Sequence, residues 1–226
     1  MGAVEEVAAE LRGRIMAGEL RPGTRVRLEE VAGRLGLSIT PVREALLVLR
    51  GEDMVELEPN RGYVVAPLSR QDVGDLFQIQ AGIAGEMAAR VAARITAAGL
   101  DELVAADRAL GRARRPAEIE QREHEFHRLV NRQADSRKLH WFLHPATRSA
   151  PPPAEPPDRD GLRRAHKELL AAFAARDTEA ARALTIRHLT EDADRRLRAL
   201  DELGVWAVER RRRGSGREQA GQTGAG

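Results

Sequence analysis

Between Val4 and Ala66, glycine and proline cut the chain into short pieces of alternating character, and few folds accept that order of pieces. Val4, Val7, Ala8, Leu11 and Ile15 recur at steps of three and four, which predicts a helix over residues 4–17. The stretch "GELRPGTRV" stops it, with Gly18 suited to a helix C-terminus and Pro22–Gly23 to a turn. A second helix fits residues 29–35, with Val31, Ala32 and Leu35 inward and Gly36 at its end. A third starts after Ser38 or Thr40, with Pro41 in its first turn and Val42, Ala45, Leu46 and Leu49 as its buried stripe. Two β-prone runs follow, 54–57 and 63–66, split by "EPNRG", where Gly62 can supply a positive φ; this predicts a hairpin. Three short helices and a hairpin make a winged helix-turn-helix pattern.

The remainder reads as helix throughout. Pro67-Leu68-Ser69 is a linker, with Ser69 as N-cap of a long helix to about residue 97. Further helices are predicted over 100–113, 118–133, 137–148, 160–175 and 178–203, interrupted by the proline-rich "SAPPPAEPPDRDG" at 149–161. The fold class is therefore mainly α: an N-terminal winged helix-turn-helix with a small β-hairpin wing, and a C-terminal all-α helical bundle. The expected division is 1–67, 68–205 and a disordered Gly-rich tail, 206–226.

Composition narrows the function classes. There is no cysteine, which excludes a disulfide framework and thiolate metal sites. No stretch approaches ~18 uninterrupted apolar residues, so no membrane span is expected, and with no secretory leader the expected location is cytoplasmic. Residues 1–66 carry nine arginines against eleven acidic residues, a net of −2, so any nucleic-acid surface there must be local.

That local surface is "SITPVREALLVLR". A groove-reading helix needs short polar or Arg side chains in its first turns and an apolar stripe behind them. Ser38 and Thr40 stand at the N-terminus, where free backbone N–H groups also favour a phosphate. Arg43 lies about one turn in, opposite Leu46, where it can take guanine bidentately or pair with a phosphate. Asn60 and Arg61 at the hairpin tip can reach a neighbouring groove or the backbone. The plainer reading leaves Ser38 and Thr40 as caps and pairs Arg43 with Glu44.

Residues 19–69 resemble the winged-helix domain of the GntR family of bacterial transcription regulators, most specifically in "TPVREAL" followed at family spacing by "PNRGYVV". The following helical chain resembles the FCD-type effector domain of the FadR subfamily, so the likeness covers about residues 1–200. The resemblance implies a homodimer on palindromic operator DNA, usually a repressor relieved by a small molecule, with DNA contacts at Ser38, Thr40, Pro41, Arg43 and Gly62. This chain departs from the pattern at Ile39, where members commonly carry Arg, and at Asp53, where Gly is common. An apolar Ile39 would meet a thymine methyl where Arg would seek guanine.

Six histidines occur, at 124, 127, 140, 144, 166 and 188. "EHEFH" sets Glu123 and His127 one helical turn apart, while His166 and His188 fall on two later helices. Three imidazoles and a carboxylate suit a divalent metal ion, zinc foremost, with manganese, nickel or iron as alternatives; unrelated, separately satisfied histidines are the plainer reading. The resemblance implies the metal: many FadR-subfamily domains carry D-x-x-F-H and then two more histidines, which match Glu123 (for Asp), Phe126, His127, His166 and His188. Glu for Asp moves the carboxylate by about 1.5 Å, one C–C bond. A metal with open positions would suit a carboxylate effector, although Gln80 and Ala84 replace the Arg and Glu common in members.

Other features have plainer expectations. Trp141 and Phe142, beside Leu139 and Leu143, read as a core patch, and "RRRR" at 210–213 as a solvated tail rather than a phosphate contact. Val73, Leu76, Phe77, Ile83, Met87 and Val91 form an apolar face that serves either a dimer or the chain's own core. Two other functions fit the Glu/His set: a metal-dependent, hydrolase-like enzyme, which lacks a separate general base at recognisable spacing, and a direct metal sensor.

Overall fold

A computed structural model describes residues 2–153 and 158–206. The N-terminal part contains α1 (Ala3–Met16), α2 (Leu28–Leu35), α3 (Ile39–Gly51) and the antiparallel pair β1 (Val55–Glu58) and β2 (Gly62–Val65). Val7, Leu11, Val42 and Leu46, the expected apolar stripes of α1 and α3, are fully buried. Gly36 ends α2 in the left-handed region (φ 66°), and Gly18 (φ 75°) follows the α1 cap residue Ala17. The hairpin turns through Asn60 and Gly62, both at positive φ. The residues before α2 add a short third ladder segment: Gly23 and Val26 donate to the Val65 and Tyr63 carbonyls, and Val65 donates back to Thr24. This ladder ties the loop after α1 to the wing.

Six helices follow: α4 (Arg70–Arg94), α5 (Ala97–Arg112), α6 (Pro116–Gln133), α7 (Arg137–Arg148), α8 (Arg159–Ala175) and α9 (Thr178–Leu203). Ser69 caps α4 in a reciprocal box, its hydroxyl accepting from the Asp72 amide while the Asp72 carboxylate accepts from the Ser69 amide. The expected long helix stops at Arg94 rather than near residue 97, because Ile95 turns extended and Thr96 caps α5 through the Gly99 amide.

The longest packed pair is α4 with α9, running antiparallel. At one end, Val73 and Phe77 of α4 and Ala193, Leu197 and Leu200 of α9 enter the same apolar core as α1 and α3. At the other, Met87, Val91 and Ala181 join Phe126, Leu129 and Phe173 in a second core. The two helices thus span both cores. The apolar face of α4 is consumed inside the chain, since Val73, Met87 and Val91 have no exposed surface.

Trp141 and Phe142 do not form the expected core patch: they are exposed, 61% and 57%. The buried stripe of α7 is Leu143 and Ala146, and the two aromatics stack edge-on against each other on the opposite side. Trp206 packs against the first core and donates to Asp201 at 2.7 Å. The Arg run at 210–213 and the tail expected from 206 onward lie, beyond Trp206, outside the described residues. Among the described residues, no helix is long and apolar enough to cross a membrane.

Candidate metal centre and nucleic-acid interface

Glu123 and His127 come from α6, His166 from α8 and His188 from α9, and the fold brings these three separate helices to one point. One Glu123 carboxylate is the centre. Its Oε1 lies 2.9 Å from His127 Nε2 and 3.2 Å from His188 Nε2, and its Oε2 lies 2.9 Å from His166 Nε2. Donor atoms of Glu123, His127 and His188 all fall within 4.8 Å of one another. His166 is held on the far side, buried and stacked on Phe126 with ring centroids 3.6 Å apart. His124 and His140 are exposed, as is His144, and none of the three joins the cluster.

A fifth residue went unpredicted. Asp107 on α5 sets Oδ1 3.4 Å from His166 Nδ1, and its Oδ2 takes Arg163 at 3.3 Å. It had one sequence signal: with Leu103 and Leu110 it stands on the buried stripe of α5, where an acid must find partners.

The donor set fits a divalent cation better than it fits itself. A neutral imidazole carries one N–H, yet His166 faces a carboxylate at each ring nitrogen. Glu123 Oε2, Asp107 Oδ1 and both His166 nitrogens are buried and lack a well-aligned hydrogen bond despite these approaches. A neutral His166 with its Nδ1–H turned toward the Asp107 carboxylate would present its Nε2 lone pair to the centre, the arrangement by which outer carboxylates orient metal-binding imidazoles. Glu123, His127 and His188 are placed to hold such an ion, while His166, on the other oxygen of the Glu123 carboxylate, falls outside that group of three.

The electrostatics point the same way. Burial pushes the Glu123 carboxyl up, but the charge and hydrogen bond of His127, with the close approach of His166 and His188, outweigh it and hold the group well below the usual carboxylate range. Burial pushes His127 down, and Glu123 restores only part of that loss. For His166 burial also pulls downward, yet its contacts with Asp107 and Glu123 win and raise it. The approach of His166, then of Arg163, keeps Asp107 low against its own burial. Both carboxylates are therefore ionised at neutral pH, which supplies negative charge where a cation would sit.

At the other end of the molecule, Ser38 is the N-cap of α3, Ile39 its first residue, and Pro41 lies in the first turn. Ser38 makes no side-chain cap bond. The reason is local: Pro41 occupies the third helical position, whose amide a capping hydroxyl commonly takes, and proline has no N–H. Ser38, Ile39, Thr40 and Arg43 are all exposed. Arg27 and Arg34 pair with Glu30 and Glu10, whereas Arg43 has no such partner among the described residues, Glu44 included. On the wing, Asn60 is exposed at φ 63° and Arg61 pairs with Glu58 at 2.6 Å and reaches the Gly23 carbonyl at 3.3 Å. Asp53, at the glycine-favouring position after α3, does adopt a left-handed φ of 58°. Gln80 is buried, its amide donating to the Ala146 carbonyl at 3.1 Å, so it braces α7.

Comparison with known proteins agrees with this architecture. Residues 3–65 match the family model "Bacterial regulatory proteins, gntR family", and residues 75–191 match the FCD domain. An HTH-type transcriptional regulator of Mycobacterium tuberculosis is 28% identical over 185 residues, covering 80% of this chain and 76% of the relative. The gluconate operon transcriptional repressor of Bacillus licheniformis is 35% identical over 98 residues, 43% of this chain and 38% of that protein. Among solved structures, Escherichia coli McbR/YncC superposes with TM-score 0.64 at 22% identity, covering 90% of this chain and 99% of that one. A GntR regulator from Rhodococcus gives 0.59 at 22% identity, over 87% and 98%. These relatives are transcription regulators rather than enzymes. The chain belongs to the GntR family of DNA-binding transcription regulators, in the FadR type whose C-terminal part is an FCD domain.

Proposed function

We propose that this chain is a ligand-responsive repressor that binds a palindromic operator as a homodimer and is released by a small organic acid bound near a divalent metal. In this reading residues 1–67 read DNA, residues 68–205 bind effector and dimerise, and the protein works in the cytoplasm beside the chromosome. The observation that carries it is the convergence of Glu123, His127, His166 and His188 from three helices in a domain that shares a core with the winged helix. Zinc is the first choice for a three-imidazole, one-carboxylate set, with manganese, nickel or iron as alternatives. A bound cation would supply open positions for an effector carboxylate oxygen.

The chain's own residues divide the work. Glu123 and the three histidines hold the charge, and Asp107 with Arg163 fixes His166. At the operator, Ser38, with its hydroxyl uncommitted, and Thr40 face phosphate or base edges. Arg43 takes guanine or phosphate, Pro41 shapes the first turn, and Ile39 packs on a thymine methyl. Asn60, Arg61 and Gly62 form the wing tip. Effector binding shifts the population between dimers with differently placed recognition helices, and a useful switch needs about 1–3 kcal/mol of coupling.

Two measurements test this. Metal analysis of protein purified without a histidine tag is expected to find about one divalent ion per chain, and metal-free protein that no added ion stabilises sinks the metal centre. Gel shift of the DNA upstream of its own gene at low salt is expected to show a retarded complex, and no retardation counts against the regulator. Operator affinity that changes with metal alone, with no organic acid present, marks a direct metal sensor instead.

A further inference from the structure

Glu52 caps the C-terminus of α3, at the opposite end from the residues facing DNA. Its carboxylate is held twice. Arg12 of α1, almost wholly buried, donates in parallel from Nε to Oε2 at 2.8 Å and from Nη2 to Oε1 at 2.9 Å. Arg148, the last residue of α7, donates from Nη2 to the same Oε1 at 2.7 Å and from Nη1 to Glu5 of α1 at 2.8 Å. One guanidinium from the effector side thus bridges α1 and the end of the recognition helix.

What surrounds this bridge makes it a joint. Helix α7 otherwise packs hardly at all against α1 or α3. Beside the bridge is a crevice of about 480 Å³ lined by Glu5, Ala9, Arg12, Gly13, His144 and Arg148. Neither buried apolar residue of α7, Leu143 or Ala146, belongs to the first core, and Ala150 just beyond the helix packs against it only partly buried, whereas the α4 and α9 side is closed by a shared core. A little over one turn back, Leu143 is buried in the second core, which also holds Phe126, the ring stacked on His166, and Gln80 clamps the Ala146 carbonyl. Helix α7 packs on α4, which itself packs on α6 and α8, so a displacement of either helix reaches Leu143 through α4, and α7 ends on Glu52.

We propose that Arg148 is the positioning residue through which the effector domain sets the recognition helix: its bidentate grip on Glu5 and Glu52 is the contact that α7 makes or releases. The proposal rests on the regulator reading for its purpose but not for its geometry. Two carboxylates and two guanidinium groups balance in charge, so the bridge is a partly buried network in which loss of one member strands the others. Lysine cannot reproduce the fork that reaches two carboxylates at once.

The test is hydrogen exchange on the full-length, metal-free protein with four chains: wild type, Leu143→Ala, Arg148→Met, and the double variant. Leu143→Ala loosens α7 from the effector core. In the wild-type background it is expected to speed exchange of amides at 49–54 about fivefold or more, the lower end of coupling between linked sites. In the Arg148→Met background the same change is expected to add nothing there. An equal increment in both backgrounds, or none in the wild type, overturns the proposal. A merely structural Arg148 would lower overall protection without abolishing the transmitted response. Should Arg148→Met fail to fold, shown by lost protection in α5, then Arg148→Lys is expected to retain part of the transmission, and full transmission in it overturns the proposal. Operator binding is read on the same proteins: a wild type that binds no DNA defeats the regulator reading and leaves the exchange result standing.

Discussion

Glu123→Gln is the most revealing single change at the Glu/His cluster. The side chain keeps its size, but the charge that three imidazoles face at 2.9, 2.9 and 3.2 Å is gone. In the wild type at a metal concentration of 100 times Kd, binding to the folded state adds about 2.7 kcal/mol. For a chain of this length that is a rise in Tm of roughly 5–11 °C, at about 2–4 °C per kcal/mol. Removing outer-sphere partners alone weakens metal sites about 10–100-fold, so loss of the one anionic ligand is expected to reach at least the upper figure. At the same metal concentration a 100-fold weaker site gains only RT ln 2, about 0.4 kcal/mol, or roughly 1–2 °C. The assay is thermal unfolding of tag-free protein with and without Zn²⁺, Mn²⁺ and Ni²⁺. Each protein is compared with its own metal-free form, so any cost of the substitution itself cancels. Equal metal-induced shifts in wild type and variant would refute the assignment of Glu123 as a ligand.

Three further outcomes are expected. Asp107→Ala should weaken metal binding about 10–100-fold while Asp107→Asn, whose amide oxygen can still face His166 Nδ1, recovers part of it; metal titration that does not separate the two removes Asp107 from the outer sphere. Asp53→Gly relieves a left-handed backbone at φ 58° and should raise stability by about 0.5–1 kcal/mol, so a lowered Tm contradicts the strain. Ile39→Arg should redirect preference toward guanine at one operator position by about 1–3 kcal/mol, and an unchanged binding-site logo means that position 39 meets no base.

The winged helix was legible because glycine and proline mark its joints locally, at Gly36, Pro41 and Gly62, and each joint behaves as its residue type requires. The cap at Ser69 is likewise a property of four consecutive residues. What escaped was non-local. The pairing of residues 23–26 with β2 has no alternation to announce it, and the core shared by α1 and the end of α9 joins residues nearly 200 apart in the chain. Glu/His spacing indicated ligand types, but only the packing of α6, α8 and α9 makes them a site. Asp107 was visible as an acid on an apolar stripe, and its partner could not be read from α5 alone. Trp141 and Phe142 were misplaced because hydrophobicity outweighed phase: the stripe through Leu143 and Ala146 leaves them outside.

In the proposed regulator, occupancy of the C-terminal cluster sets the affinity of α3 for DNA. The most direct test is fluorescence anisotropy of full-length, tag-free protein on one operator duplex at fixed salt, titrated metal-free, zinc-loaded, and zinc-loaded with a panel of small carboxylic acids. Wild type is expected to change operator affinity between these states by roughly 5–150-fold, and His188→Ala, which lacks one ligand, to bind the duplex with one affinity throughout. Identical affinity of the wild type in every state would contradict the claim.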